Sequence, residues 1–186
     1  MWNKLLILSL SVVMALTAMA QDQPVGVRME SSQIEVNEEE KYTVFSYLDE
    51  AGEYGYYLSL AQEQELLRVV SAHSSSSFGE EDEVCLWLGG DREAAIAMLD
   101  TMLTYYDRDA GSTIELPARL STGSERLGAK VSVNCVVKKK LLGGKCLYFL
   151  FEGIRGRQGE VYLSKSSVKQ LRWGLKVDRK LHPNKK

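Results

Sequence analysis

The chain changes hydrophobic period several times, and each change predicts an element. Lys41–Leu48 reads K-Y-T-V-F-S-Y-L, a β-branched and aromatic run that predicts a strand. Asp49–Glu53 turns the chain, and Tyr54–Leu60 predicts the returning strand. Before them stands a polar lead-in over Gln21–Glu30, where Pro24 disfavours helix, and a short alternating piece with Ile34 and Val36. Ser59-Leu60-Ala61-Gln62 matches a capping box, in which Ser and Gln side chains satisfy free N–H groups. A helix carrying Leu66, Val69 and Val70 is therefore predicted after it, ending in the serine loop after His73.

Val84–Leu88 is almost wholly apolar and predicts a buried strand. Asp91 is placed to cap a helix over Arg92–Tyr106, whose Ala95, Met98, Leu99, Met102, Leu103 and Tyr106 recur at helical spacing. Strands follow. Thr113–Leu116 is expected to stop at Pro117, which has no N–H for a ladder. Ala129–Val137 alternates, with Val131, Val133, Cys135 and Val137 on one face. Lys145–Phe151 predicts a central strand, Glu160–Leu163 a last strand, and Ser164–Leu175 a last helix before a basic tail.

Part of this pattern recurs. Tyr57-Leu58-Ser59 returns as Tyr162-Leu163-Ser164, Leu66 as Leu171 and Val70 as Leu175. The recurrence predicts an α+β fold of two pseudo-repeated antiparallel β-meander-plus-helix halves, with Val84–Tyr106 an inserted strand and helix between them. Gly55, Leu58, Ser59 and Leu66, then Gly159, Leu163, Ser164 and Leu171, carry a resemblance to the Whirly-type fold, which binds single-stranded nucleic acid. The resemblance implies two sheet-plus-helix halves related by pseudo-symmetry.

Composition adds a compartment. Met1–Ala20 has one charge, Lys4, an apolar run over Leu5–Leu16 and a small-x-small site at Ala18-Met19-Ala20. That is the form of a signal peptide, so the expected location is periplasmic or secreted. No later run is long and apolar enough for a membrane helix. Export makes nucleic acid an unlikely partner, and the chain also lacks the Lys-Gly-Lys-Ala-Ala-Leu-like strand motif of Whirly proteins. Three cysteines in an oxidising compartment suggest one disulfide and one buried thiol, with Cys135 and Cys146 on adjacent strands and Cys85 able to replace either.

Charge divides the chain. Residues 21–107 hold 4 basic and 19 acidic side chains, and residues 108–186 hold 18 basic and 6 acidic. The expected domains are thus an acidic half with the inserted helix and a basic half, packed as one globular unit. Such a split points to an anionic partner or to mutual attraction, within one chain or in a homo-oligomer. The candidate anion-binding residues are Lys138, Lys139 and Lys140 in one turn, Arg155 and Arg157 in another, and Lys165, Lys169, Arg172 and Lys176 along the last helix. An anionic polymer or surface is the expected partner. Tyr42, Tyr54, Tyr56, Tyr57, Tyr148 and Tyr162 lie on predicted strands, where they pack in the core or stack on a ligand.

Catalysis is not expected. His73 lies at a helix end beside serines and His182 in the tail, a pair of His73 with Cys135 or Cys146 has less behind it than a disulfide or buried thiol, and no G-x-S-x-G elbow occurs. Glu80–Glu83 lacks the alternation of a calcium loop, Gly89-Gly90 and Gly143-Gly144 are isolated turns, and no C-x-x-C is present. No metal or cofactor is expected. The functional expectation is an exported, non-catalytic binding module, with a structural or self-associating protein as the alternative and an unrecognised hydrolase as the remaining one.

Overall fold

The computed structural model describes residues 23–35, 41–60, 82–122, 126–140, 144–152 and 158–182. They build one antiparallel sheet of eight strands in sequence order. These are β1 (Arg28–Glu35), β2 (Lys41–Leu48), β3 (Tyr54–Leu60), β4 (Asp82–Gly89), β5 (Thr113–Thr122), β6 (Lys130–Lys139), β7 (Lys145–Glu152) and β8 (Gln158–Ser164). Helix α1 (Arg92–Tyr105) joins β4 to β5, and α2 (Lys165–Leu181) leaves β8 directly.

The sheet curls around the helices. Val44, Leu58, Leu86, Leu116, Val133, Leu147 and Leu163, one from each of β2 to β8, point inward and share a single core with Leu99 and Met102 of α1 and Leu171 and Leu175 of α2. Most are fully buried, and each such side chain contributes about 1.5–3 kcal/mol of transfer free energy. Period-two alternation therefore sends the even residues of β2, β3 and β4 inward and leaves Phe45, Tyr57 and Cys85 on the outer face.

The expectation of two repeated halves with an insertion between them is overturned. The sheet is continuous, and β4, assigned to the insertion, is an interior strand bonded to β3 and β5. The matching Leu-Ser pairs do different work. Ser164 caps α2, accepting from the Ser167 N–H at 3.0 Å. Ser59 is paired with Cys85 inside the sheet, and its hydroxyl donates to Glu83. Sequence likeness at Leu-Ser reflects two strands with the same inward leucine, Leu58 and Leu163. The helix predicted to follow Ser59 lies outside the described residues.

Other elements follow the sequence closely. The Ala94 N–H donates to the Asp91 carboxylate at 2.7 Å, as the cap requires. Pro117, expected to end its strand, sits inside β5. Leu120 donates to Ala129 and accepts from Gly128, so even residues of β5 bond toward β6 and odd ones face β4. The β4 ladder ends at Leu86–Ala118, one residue short of Pro117, so the missing N–H breaks nothing. α2 runs to Leu181, beyond the predicted Leu175.

Candidate anion-binding surface

The basic residues singled out in the sequence fall into two groups with different surroundings. Along α2, Lys165 pairs with Asp107 at 3.1 Å, Arg172 pairs with Asp100, and Arg179 pairs with Glu93 at 3.0 Å. Glu93 and Asp100 on α1 and Asp107 just past its end are spaced by one heptad, and their partners are spaced by one heptad on α2 in reverse order. The two helices therefore run antiparallel with charges in register. Acidic and basic halves of the sequence meet here within one chain. A buried fourth pair, Arg92 with Asp178 at 3.3 Å, ties the start of α1 to the end of α2. Arg92 also donates to the His182 carbonyl at 2.8 Å, placing a cation where α2 presents its negative dipole end.

Lys169 and Lys176 project from α2 on another side and form no ion pair with the described residues. Arg155 and Arg157 lie outside the described residues.

The second group sits on the outer face of the sheet. Lys138, near the end of β6, holds its ammonium 3.1 Å from the centre of the Tyr148 ring and 5.8 Å from that of Tyr162. Tyr148 and Tyr162 are cross-strand partners on β7 and β8, with ring centres 4.8 Å apart. Tyr148 is buried beneath the lysine, whereas Tyr162 is 44% exposed and Leu150 beside it 40%. Lys139 and Lys140 are exposed at the strand end. Two rings, an apolar flank and the Lys138 ammonium thus share one helix-free face, with Lys139 and Lys140 exposed at its edge. A cation over a tyrosine face is held by the ring quadrupole while it keeps its charge for a ligand.

Of the six strand tyrosines, Tyr42 and Tyr56 face the core, with Tyr54 packed beside it. Tyr57 stacks on Phe45 at 5.8 Å in a separate outer cluster with Tyr47 and Cys85. Over this cluster Arg28 spans three contacts. It bonds both carboxylate oxygens of Glu83 at 3.0 and 2.5 Å, bonds the Ser121 hydroxyl at 3.1 Å, and lies 4.6 Å over the Phe45 ring. Sequence reasoning missed this network, since Arg28 lay in a segment read as lead-in. The alternation Ser59, Glu83 and Ser121 on outward positions was the signal available.

Cys85, Cys135 and Cys146 are all buried free thiols, in place of the expected disulfide. Cys135 stands opposite Phe149 on the inner face, while Cys146 stands opposite Lys138 on the outer one. Burial raises Cys85 well above the ordinary thiol value and pushes Cys135 up to about 12. Neither is poised as a nucleophile. Among the described residues no His, Cys, Asp and Glu cluster forms a metal site, and no helix is long and apolar enough to cross a membrane. Compared with known protein families, curated proteins and solved structures, the chain matches none.

Proposed function

We propose that the protein is an exported, non-catalytic binding module that holds an anionic polymer on the outer face of β6 to β8. The supporting observation is the Lys138 ammonium 3.1 Å over Tyr148, beside the exposed ring of Tyr162. Lys138, Lys139 and Lys140 supply the attraction to anionic groups. Tyr162 and Leu150 supply a flat apolar patch for the rings that carry those groups. Given the leader, the favoured partner class is an acidic glycan, whose sugar faces suit a tyrosine ring and whose sulfate or carboxylate groups suit lysine.

The test is equilibrium titration of a sulfated glycan and a polyuronate against the chain over a range of salt, with a single-stranded oligonucleotide in parallel. Glycan affinity is expected to fall steeply with salt, because bound counterions are released. Reversing Lys138, Lys139 and Lys140 to Glu should flatten that salt slope. Tyr162→Ala should weaken binding about tenfold with the slope retained, in line with about 1–3 kcal/mol for a stacking ring. Glycan binding indifferent to both changes overturns the proposal, and preferential oligonucleotide binding overturns the partner class.

A second reading, that the opposed charges serve assembly, draws on the Lys165–Asp107, Arg172–Asp100 and Arg179–Glu93 pairs. All three lie within one chain, so they support closure of a monomer over association of two. Sedimentation that shows a salt-sensitive dimer would favour assembly instead.

A further inference from the structure

We propose that a stripe of α2 with exposed Lys169, Trp173 and Lys180 and half-buried Lys176 docks the protein on the surface of an anionic phospholipid bilayer. Four residues carry the stripe: Lys169, Trp173, Lys176 and Lys180. At 100° per residue they fall within about 60° of one another, about 140° around the helix from the buried row Val168, Leu171 and Leu175. They extend for about 16 Å along the helix.

Three observations select a bilayer. Trp173 is 68% exposed and makes no ring or hydrogen-bond contact with the described residues. Leu181, at the end of the same helix, is 70% exposed. A ring-bearing polyanion can also stack on an indole, so the preference for a bilayer rests on the setting: a lysine-flanked indole along one helix, with an apolar side chain at the helix end, suits the boundary between headgroups and acyl chains. The charges divide by pairing, with half-buried Lys176 at the border between the two sets. Lys165, Arg172 and Arg179 turn toward α1 and are paired there, while Lys169, Lys176 and Lys180 flank Trp173 without a carboxylate partner among the described residues. Lastly, the opposite side of α2 is fixed by the core, so the stripe is presented on a rigid support. The helix would lie in the plane of the interface, with lysines at the phosphates and Trp173 between them. This surface is separate from the β6–β8 face, and neither proposal depends on the other.

The experiment uses the chain from Gln21 onward, the processed form that the leader implies, which contains every described element. With Trp87→Phe, Trp173 is the remaining tryptophan reporter. Vesicles of phosphatidylglycerol and phosphatidylcholine are compared with phosphatidylcholine alone, by co-sedimentation and by Trp emission with brominated lipid as quencher. The expected result is binding to anionic vesicles, a blue shift, quenching by bromine near the headgroups, and loss of binding on neutral vesicles. Each lysine should contribute about fivefold at low salt, so Lys169→Glu, Lys176→Glu and Lys180→Glu together should weaken binding by more than a hundredfold. Trp173→Ala should weaken it with the salt dependence kept. Reversal of Lys138, Lys139 and Lys140 should leave vesicle binding in place, which keeps this result distinct from the glycan test. Circular dichroism checks that each variant is folded, and added salt on the unmutated chain gives a second, mutation-free measure of the charge term. Absence of sedimentation, equal binding to neutral vesicles, or binding with Trp173 emission unmoved each overturns the proposal. Loss of glycan binding alone on the α2 reversals assigns the stripe to the polymer and overturns it too.

Discussion

The Tyr42 hydroxyl donates to the main-chain oxygen of Tyr162 at 3.0 Å, although β2 and β8 stand six places apart in the sheet. Six strand spacings laid flat come to about 29 Å, far beyond any side chain. The bond is therefore a direct readout of the curl, and it crosses the interior that α1 and α2 fill. Tyr106, just past α1, makes the neighbouring contact by donating to the Leu163 oxygen at 2.8 Å. The last strand thus takes donors from the far side of the sheet and from beneath it.

Tyr42→Phe keeps the ring in the core and removes this donor. A fully buried carbonyl that loses a partner costs about 1–3 kcal/mol; this bond is partly buried, so a loss of about 1 kcal/mol is expected in urea unfolding. Tyr106→Phe should behave alike. Burial holds the Tyr106 phenol above its usual range, which favours the neutral donor form. Unchanged midpoints in both variants would mean that the curl is held by packing alone.

Gly174 of α2 marks where the helix meets β1. A Cβ there would stand 2.9 Å from the Cβ of Ser32, which is buried. In an open helix Gly→Ala gains about 1 kcal/mol. Here overlap with a packed neighbour costs about 1–3 kcal/mol, and the overlap is the larger effect. Gly174→Ala should lower the thermal midpoint, and Ser32→Gly in the same chain should restore much of it. A single Gly174→Ala that raises the midpoint would show a loose helix–strand contact.

What could be read from the sequence was local, and what could not be read was long-range. The strands at Lys41–Leu48 and Tyr54–Leu60, and the Asp91 cap with its helix, depend on residue type and spacing within a few positions, and they stand as expected. The repeat failed because Leu-Ser marks the end of an inward-facing strand, whatever follows it. Whether Ser59 caps a helix or bonds Glu83 depends on β4, more than twenty residues away. Pro117 was misjudged for the same reason, since its fit depends on where the β4 ladder ends. The α2 lysines and arginines were seen as one stripe. Only the placement of α1 divides them into those facing Asp100 and Asp107 and those facing solvent.

Arg92 and Asp178 form the interhelical pair most withdrawn from water, with side chains 4% and 13% exposed. Charges so placed are costly to strand: removing one partner of such a pair costs about 3–5 kcal/mol. Arg92→Met is expected in that range, since it abandons the Asp178 carboxylate and the His182 carbonyl together. Replacing both partners removes the stranded charge, so Arg92→Met with Asp178→Leu should be more stable than Arg92→Met alone. A urea double-mutant cycle measures the coupling, and simple additivity would show that the two charges do not interact.

Acid should act through the β2–β3 turn. The Asp49 carboxylate accepts from the Glu53 N–H at 2.7 Å and the Ala51 N–H at 3.0 Å, and its other oxygen takes Arg119 at 2.9 Å. Burial alone would raise this carboxyl, but the backbone bond from Glu53, the Arg119 guanidinium and the Ala51 N–H together hold it below the ordinary value. The folded state therefore prefers the ionised form. The stability this confers is fully present above the unfolded value, about pH 4, and is lost as pH falls through the lower folded value. Asp49→Asn keeps an oxygen for the two turn N–H groups and removes both the titration and the Arg119 pair. It should lower stability at pH 7, and its loss between pH 4 and pH 2 should be shallower than that of the unmutated chain. Thermal melts across that interval measure the two slopes, and parallel slopes would rule Asp49 out as the acid-sensitive group.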